Sequence, residues 1–360
     1  MTLELLGWAD PFATAFAALP PSEELEPARV VASQREHYRL LAGDGAYDAT
    51  LAGQLRHRAQ PGELPVVGDW VAARIAKGER RATIVACLPR RTELTRKQVG
   101  GAAEAQVLAA NLDCALLVTT LSRDFNPRRI ERTLALIWDG GAQPVLLLSK
   151  LDLCADPGRY VAEAEAVALG VPVHALSAQT GAGIEALDAY LRPGRTLALI
   201  GSSGVGKSTL LNRLLGREEA ATQGIRASDE RGRHTTTARE LYALPGGALL
   251  IDTPGVRELG LIDTDQGLSA AFDDIEALMQ GCRFSDCGHS TEPGCALRTA
   301  LADGRLSAER WQSYEKLKGE LAHEARRADR KARSAYQHEV RRVQRQRNVD
   351  LRTRKPDRYR

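Results

Sequence analysis

The chain has 360 residues, and its 49 Lys and Arg against 46 Asp and Glu give a formal net charge of +3. The length predicts two or three domains. The 43% hydrophobic and 26% charged content is typical of a globular protein and excludes a disordered or fibrous chain. No apolar run reaches about 18 residues, which excludes a membrane-spanning helix.

The charge is unevenly distributed along the chain. Residues 326–360 carry 14 basic and 4 acidic side chains, a local charge of +10, so the other 325 residues carry −7. A basic tail on an otherwise acidic chain favours nucleic acid or another polyanion as a partner. A solvated extension without a partner is the alternative.

The N-terminal part of the chain predicts an arm followed by a barrel. Residues 1–27 combine an apolar stretch with Pro20-Pro21 and an acidic segment, which predicts a short helix or docked arm and a linker. Residues 28–100 contain five short segments rich in β-branched and apolar residues, separated by turn formers, and predict a small OB-like or SH3-like β-barrel. Four basic residues close this region and form either a solvated rim or a nucleic-acid contact: Arg90, Arg91, Arg96 and Lys97.

Residues 105–263 alternate between strands and helices. The runs LDCALLVTT and PVLLLSK are continuously apolar, as in buried parallel strands, and a helical segment that ends on glycines lies between them. TLALI at 196–200 and ALLIDT at 248–253 continue the pattern. The region predicts an α/β nucleotide-binding domain.

The segment after TLALI has the pattern of a phosphate-binding loop, since GSSGVGKST fits G-x-x-x-x-G-K-[ST] between a strand and a helix. Its glycines let backbone N–H groups surround a phosphate, and the following helix adds its N-terminal dipole. We expect Lys207 to neutralise β- and γ-phosphate oxygens and Ser208 to bind Mg²⁺. All nine residues are predicted to bind the nucleotide: Gly201, Ser202, Ser203, Gly204, Val205, Gly206, Lys207, Ser208 and Thr209.

Two further elements are expected on the magnesium side of the site. Asp252 follows a strand and suits the metal shell, and the N–H of Gly255 is expected to face the γ-phosphate. Upstream, Thr235, Thr236 and Thr237 lie in a polar stretch, and a threonine of such a loop completes the Mg²⁺ shell once the γ-phosphate is present. Thr236 or Thr237 is the predicted ligand, and Thr236 and Lys207 are predicted to assist catalysis.

Two loops that follow apolar strands predict recognition of guanine. The first consists of Ser149, Lys150, Leu151 and Asp152. The Asp152 carboxylate can accept from guanine N1–H and N2–H₂, a donor pair that adenine lacks. The second contains Ser177 and Ala178, and the Ala178 N–H can donate to guanine O6. Together with a phosphate loop, these residues indicate GTP rather than ATP.

The order of the motifs is unusual. Common GTPases place the phosphate loop first and the base-recognition loops last, whereas here the base-recognition loops precede the phosphate loop. The same sheet can form from such a circularly permuted chain, because domain termini are often close together. The segment after Gly255 then leads directly into the next module, so we expect loss of the γ-phosphate to move that module.

Residues 264–325 contain a candidate metal site. Cys282, Cys287, His289 and Cys295 read C-x4-C-x-H-x5-C, and three thiolates with one imidazole suit a closed, structural Zn²⁺ site. Ser307 is a predicted N-cap for a following helix with apolar residues at helical spacing. The other three cysteines are predicted to be core residues: Cys87, Cys114 and Cys154.

The combination of SKLD, SA, GSSGVGKST, RHTTT, DTPGVRE and the Cys/His cluster, over about residues 28–325, resembles the RsgA (YjeQ/EngC) family of circularly permuted GTPases. The resemblance implies an N-terminal OB fold, a central permuted GTPase domain, and a C-terminal α-rich zinc module that a basic tail follows here. It also implies a cytoplasmic enzyme that acts late in maturation of the small (30S) ribosomal subunit. Contact with rRNA and stimulation of hydrolysis by the subunit belong to the same expectation.

Two positions depart from common patterns. Ser149 stands where the family usually has Asn, and a hydroxyl makes only part of an amide's contacts, so we expect weaker nucleotide binding with guanine choice kept by Asp152. Val256 stands where many GTPases have the glutamine that orients water, which predicts slow intrinsic hydrolysis. The resemblance implies His234 as the water-orienting residue, and an exposed loop histidine is the alternative.

Two other functions remain open at the sequence level. A P-loop ATPase or kinase would leave Asp152 and Ser177 without a purpose. A non-catalytic zinc RNA-binding protein would leave Lys207 and Asp252 without a purpose.

The first basic residue is Arg29, so no basic signal-peptide region is visible. We expect a monomer with GTP, GDP, the small subunit and its rRNA as partners, one Zn²⁺, Mg²⁺ with GTP, and no membrane partner.

Overall fold

The computed structural model describes residues 2–20, 24–34, 36–59, 62–97, 105–122, 125–216, 239–252 and 265–322. Within these residues the strands are β1 (Leu25–Gln34), β2 (His37–Ala42), β3 (Gly45–Leu51), β4 (Trp70–Ala76), β5 (Arg81–Cys87), β6 (Glu93–Lys97), β7 (Ala105–Ala110), β8 (Cys114–Thr120), β9 (Gln143–Ser149), β10 (Val173–Ala175), β11 (Thr196–Ile200), β12 (Arg239–Ala243) and β13 (Leu249–Asp252).

The helices in the same residues are α1 (Asp10–Ala17), α2 (Gly53–Arg58), α3 (Pro127–Asp139), α4 (Pro157–Val167), α5 (Lys207–Leu215), α6 (Asp265–Ala271), α7 (Asp273–Gln280), α8 (Ala296–Ala302) and α9 (308–322). None of them has both the length and the apolarity needed to cross a bilayer.

The first five strands form a barrel. Their order is β1-β2-β3-β5-β4, and β4 pairs back onto β1, which closes the sheet. The alternating apolar residues of these strands fill the interior, among them Val30, Leu40 and Ile84, which are fully buried. The predicted barrel is therefore confirmed, and its first strand begins at Leu25.

The N-terminal arm docks on the outside of the barrel. The rings of Trp8 and Trp70 lie 4.6 Å apart at their centroids. Phe12 of α1 and Leu6 are buried beside Trp70. Burial of several aromatic side chains explains why this short helix stays attached to the barrel.

The barrel continues directly into the central sheet. β1 pairs antiparallel with β12, in the register Ala32 opposite Glu240. The central part then runs β12-β13-β11-β8-β9-β10, with β13, β11, β8, β9 and β10 parallel. The predicted buried strands are thus confirmed, and their carboxyl ends meet at one edge of the sheet, where ligands of open α/β sheets bind.

Arg29 locks the arm, the barrel and the central domain together. Its guanidinium donates to the carbonyl oxygens of Gly68 and Asn111, at 3.2 and 3.3 Å, and to that of Leu6. Burial lowers the pKa of Arg29 to about 10. Three carbonyl acceptors satisfy a buried cation, which makes this arginine a structural residue.

Arg90, one of the four basic residues that close the barrel region, is not a solvated rim residue. It donates to both carboxylate oxygens of buried Asp69, each at 2.9 Å, and its side chain is 15% exposed. Arg91 pairs with Asp113 at 3.0 Å, although its side chain is partly exposed. Sequence patterns do not show such partners, because the acidic residues are distant along the chain. Arg96 and Lys97 lie in β6.

The C-terminal helices form a further hydrophobic cluster, to which Leu136 of α3 also belongs. Phe272, Ile275, Leu297 and Ala300 are its fully buried members, and Tyr314, Leu317 and Leu321 of α9 also pack in it. The N–H of Arg310 donates to Ser307 Oγ at 3.1 Å, which confirms the predicted N-cap of α9.

Candidate nucleotide site and metal centre

The phosphate loop connects the end of β11 to the start of α5, at the carboxyl edge of the parallel strands. Gly201 has φ +148°, and a Cβ atom there would lie 2.3 Å from the carbonyl oxygen of Val118. Gly206 precedes α5 with φ +98°. Both positions require glycine, so the first and last glycines of the motif are explained by backbone conformation and close approach.

The lysine of the motif folds back over the loop. Lys207 Nζ donates to the carbonyl oxygens of Gly201 and Ser202, at 2.8 Å each. These contacts hold the ammonium group at the loop whose N–H groups are expected to surround a phosphate. Ser208 follows it in the first turn of α5.

Asp252 lies beside this loop at the end of β13. It is opposite Leu199 of β11, close to where the phosphate loop begins. Burial raises the pKa of Asp252, while the nearby Lys207 works in the opposite direction. A half-buried carboxylate at a strand end beside the phosphate loop is a suitable Mg²⁺ ligand.

Several predicted residues fall outside the described residues. They are His234, Thr235, Thr236, Thr237 and Gly255, together with the basic tail 326–360.

The base-recognition loop contacts the phosphate loop directly. Ser149 Oγ lies 2.9 Å from the carbonyl oxygen of Thr119 and 2.7 Å from that of Val205. Ser149 is almost fully buried. The serine that departs from the family pattern therefore still connects the base-recognition loop to the phosphate loop.

Asp152 and Ser177 come together at the same edge of the sheet. Ser177 Oγ donates to Asp152 Oδ1 at 2.5 Å. The N–H of Leu151 donates to the carbonyl oxygen of Leu176 at 3.1 Å. The two predicted base-binding loops thus form one surface, and Lys150 of the first loop adopts a left-handed conformation with φ +62°.

Arg213 of α5 was not predicted from the sequence. Its guanidinium donates to the carbonyl oxygens of Ala178, Gln179 and Thr180, at 3.3 to 3.4 Å. The helix that begins at the phosphate loop therefore supports the loop that contains Ala178. The sequence gives no signal for this contact, because an arginine in a helix has many solvated alternatives.

The Cys/His cluster converges as the spacing predicts. The donor atoms of Cys282, Cys287, His289 and Cys295 all lie within 4.8 Å of one another. Cys282 Sγ is 3.6 Å from His289 Nδ1 and 3.9 Å from Cys295 Sγ.

Two features of the backbone bring the four residues together: a left-handed residue at His289 and a helix N-cap at Cys295. His289 has φ +57°, and Cys295 precedes α8 as its N-cap, where its Sγ accepts from the N–H of Arg298 at 3.5 Å. Although burial acts in the opposite direction, the backbone N–H groups of Ala296 and Leu297 lower the pKa of the Cys282 thiol. The first turn of α8 therefore stabilises the thiolate of Cys282, the form in which cysteine binds metals. Although the His289 N–H lowers it, burial and the thiols of Cys295 and Cys282 raise the pKa of Cys287 to about 11.

The separations between His289 Nδ1 and two of the thiols suit a tetrahedral ion. Donor atoms about 2.0–2.3 Å from one Zn²⁺ would lie roughly 3.3–3.8 Å from each other, and both of these separations are 3.6 Å. The two thiols are slightly farther apart, with 3.9 Å between Cys282 Sγ and Cys295 Sγ. The remaining cysteines are outside the cluster. Burial raises the pKa of Cys87 and Cys114 to about 12, which keeps both thiols neutral, and Cys154 packs against the central core.

Comparison with known proteins identifies the family. A family model described as RsgA GTPase matches residues 87–262. The small ribosomal subunit biogenesis GTPase RsgA of Opitutus terrae is 51% identical over 339 residues, which cover 91% of this chain and 92% of that protein. The RsgA of Syntrophotalea carbinolica is 47% identical, over 89% of this chain and 90% of that protein.

Solved structures have the same fold. YjeQ from Thermotoga maritima superposes with a TM-score of 0.61 and 28% identity, over 83% of this chain and 99% of that chain. YloQ, described as a circularly permuted GTPase, gives a TM-score of 0.60 at 22% identity, over 84% of this chain and 96% of that chain, and supports the fold alone.

Proposed function

Because the chain belongs to the RsgA family of small ribosomal subunit biogenesis GTPases, we propose that it hydrolyses GTP on the small subunit, late in that subunit's maturation. The observation that carries this proposal is the junction of the base-recognition and phosphate loops. Ser149 joins them at Val205, and Arg213 joins them at Ala178. Although the motifs are permuted in the sequence, the loops that contain them are thus in contact in the structure.

The base-recognition loops would select guanine. Asp152 accepts from N1–H and N2–H₂ of the base, Ala178 donates to O6, and the stems of Lys150 and Leu151 flank the ring. Ser177 holds the Asp152 carboxylate in place by donating to Oδ1. Adenine presents an acceptor at N1, and the resulting acceptor–acceptor contact excludes ATP.

The phosphate loop, residues 201–209, would hold the phosphates with Lys207 on the β- and γ-phosphate oxygens. Ser208 and Asp252 would hold Mg²⁺ together with Thr236 or Thr237, and Gly255 would face the γ-phosphate. Mg²⁺ bound there would neutralise charge that develops on the phosphate oxygens.

The permuted segment after Gly255 would transmit loss of the γ-phosphate to the Cys/His module. Truncation near residue 264 tests this, because unchanged nucleotide dependence of subunit binding would contradict it.

Hydrolysis would depend on a partner. Val256 offers no hydrogen bond to a water molecule, so intrinsic turnover is slow. His234 is the group proposed to orient the attacking water, as a neutral imidazole that accepts its proton. His234→Ala should abolish most of the subunit-stimulated rate and preserve GTP affinity.

The remaining parts would attach the enzyme to the ribosome. The strand order of the barrel supports an OB fold for residues 28–100, a fold that binds oligonucleotides. The Cys/His cluster would hold one structural Zn²⁺, which keeps the module of residues 264–325 folded against the GTPase domain of residues 105–263. The tail would add rRNA affinity through its +10 charge. The protein would act as a cytoplasmic monomer.

Sedimentation with purified small subunits tests the proposal. A non-hydrolysable GTP analogue should retain the protein on the subunit, and GDP should release it. An equal distribution with both nucleotides would contradict the proposal. Retention that ATP analogues support equally well would instead favour an ATPase. Binding to the subunit that is the same with every nucleotide and without one would favour a non-catalytic RNA-binding protein.

A further inference from the structure

A second basic residue reaches the phosphate loop from outside the motif. Arg129 lies in the first turn of α3, and its Nη1 donates to Ser202 Oγ at 3.1 Å. The carbonyl oxygen of the same Ser202 accepts from Lys207 Nζ at 2.8 Å. Two cationic groups from different helices therefore converge on one residue of the phosphate loop.

The guanidinium of Arg129 has capacity for another ligand. Its side chain is exposed, and among the described residues its guanidinium donates to the neutral Ser202 hydroxyl. A guanidinium has five N–H donors in a planar fork that matches phosphate oxygens. Within the described ranges, one bond to a hydroxyl leaves most of these donors available for an anion.

The position of Arg129 in its helix is electrostatically unfavourable without an anion. The first turn of α3 contains Arg128 and Arg129 and no acidic residue, and the N-terminus of a helix carries partial positive charge. The Asn126 side chain caps α3 by accepting from the N–H of Arg129 at 3.1 Å, which fixes the start of the helix. The N-terminus of α5, with Lys207, lies at the same loop, so positive charge accumulates there.

We propose that Arg129 is a nucleotide-binding residue that contacts the terminal phosphate of GTP and makes the site prefer GTP to GDP. This assignment rests on the proposed function and adds a specificity-determining residue to it. Arginines that stabilise the γ-phosphate are known elements of GTPases, supplied from the same chain or from a partner.

Nucleotide affinities of the full-length protein test this assignment. The variants are Arg129→Ala, Arg129→Lys and, as the matched control, Arg128→Ala, which removes the same charge from the same exposed turn. Dissociation constants for a non-hydrolysable GTP analogue and for GDP are measured with Mg²⁺ by calorimetry. Thermal unfolding of each variant confirms that the exposed substitution leaves the fold intact.

We expect Arg129→Ala to weaken the GTP analogue about tenfold, equivalent to about 1.4 kcal/mol, and to change GDP less than about twofold. Arg129→Lys should be intermediate, because it keeps the charge and loses the fork. Arg128→Ala should leave both affinities within about twofold.

Equal weakening of both nucleotides would overturn the assignment, because Arg129 would then only shape the loop through Ser202. Unchanged affinities would overturn it as well. If the wild-type protein bound neither guanine nucleotide, the proposed function itself would fail, and the assignment of Arg129 with it. The three results are distinguishable within one set of titrations.

Discussion

Ser149 Oγ lies 2.7 Å from the carbonyl oxygen of Val205, although 56 positions separate the two residues in the chain. The contact joins the base-recognition loop to the phosphate loop. It is possible because β9, which ends at Ser149, lies next to β8, and β8 lies next to β11, which leads into the phosphate loop. The permuted order of the motifs therefore leaves their spatial arrangement intact.

Removal of this contact should weaken nucleotide binding in general. Ser149→Ala removes the hydroxyl whose single hydrogen is shared between the carbonyl oxygens of Thr119 and Val205, and it should cost about 1–3 kcal/mol of stability. Because the phosphate loop is affected, the affinities for GTP and GDP should fall together, as titration calorimetry can measure. Ser269→Ala, which removes a 2.8 Å hydrogen bond to Glu276 in the Cys/His module, is the control and should leave both affinities unchanged. Unaltered binding by Ser149→Ala would show that the contact does not support the site.

Substitution of Asp152 should change the base that is recognised. Asp152→Asn loses the charged acceptor for N1–H and N2–H₂, so GTP affinity should fall roughly hundredfold. The asparagine amide can instead donate to the O2 atom of xanthine while accepting from N1–H, so the variant should bind xanthosine triphosphate better than GTP. Asp156→Asn, at the N-cap of α4, is the matched control. Retained preference for GTP in Asp152→Asn would place base recognition elsewhere.

A buried ion pair connects the GTPase domain to the Cys/His module. Arg310 Nη1 lies 3.1 Å from Glu131 Oε1 of α3, with side-chain exposures of 6% and 2%. The same guanidinium donates to both carboxylate oxygens of Asp274, at 2.7 and 2.8 Å. Ser313 Oγ also donates to Glu131. These contacts satisfy a buried carboxylate whose pKa is raised by burial.

Arg310→Leu should therefore destabilise the protein strongly. It leaves Glu131 buried without its cation, which costs about 3–5 kcal/mol in comparable pairs. Denaturant unfolding measures the loss. Arg132→Ala, which breaks a more exposed pair with Glu320 at 3.4 Å, should cost less than about 1 kcal/mol. Similar losses of unfolding free energy in both variants would show that burial does not decide the strength of the Arg310–Glu131 pair. Recovery of stability in a Glu131→Leu, Arg310→Leu double variant would show that the loss comes from leaving Glu131 without its cation.

Metal removal should affect the C-terminal module before the nucleotide site. We expect one Zn²⁺ per chain by elemental analysis, and a chelator should unfold the helices that surround the cluster. The Trp311 ring lies 6.1 Å from that of His289, so its fluorescence should report the loss. Trp311→Phe should remove that signal. A chelated protein with unchanged fluorescence and unchanged unfolding would contradict a structural role for the metal.

The sequence predicts much of this molecule, because its signals are local. The barrel strands, the phosphate loop between β11 and α5, and the N-cap at Ser307 all follow from patterns within short segments. The Cys/His cluster also follows, because few other functions require those four residues at such spacing. Each of these features depends on residues that are close together in the chain.

The contacts between distant segments could not be predicted in this way. The pairing of β1 with β12, which merges the barrel with the central sheet, depends on packing of whole domains. In the sequence Arg90 has the pattern of a surface residue, because its partner Asp69 lies 21 positions away in the chain. The same holds for Arg129, Arg213 and Arg310, because the acceptors discussed for these arginines are distant in the chain and cannot be predicted from neighbouring residues.

The rate of GTP hydrolysis with and without purified small ribosomal subunits tests the central proposal most directly. The protein alone should turn over slowly, and addition of subunits should raise the rate by at least about tenfold, with ATP giving no stimulated turnover. The same GTP hydrolysis rate with and without subunits would contradict a subunit-dependent GTPase.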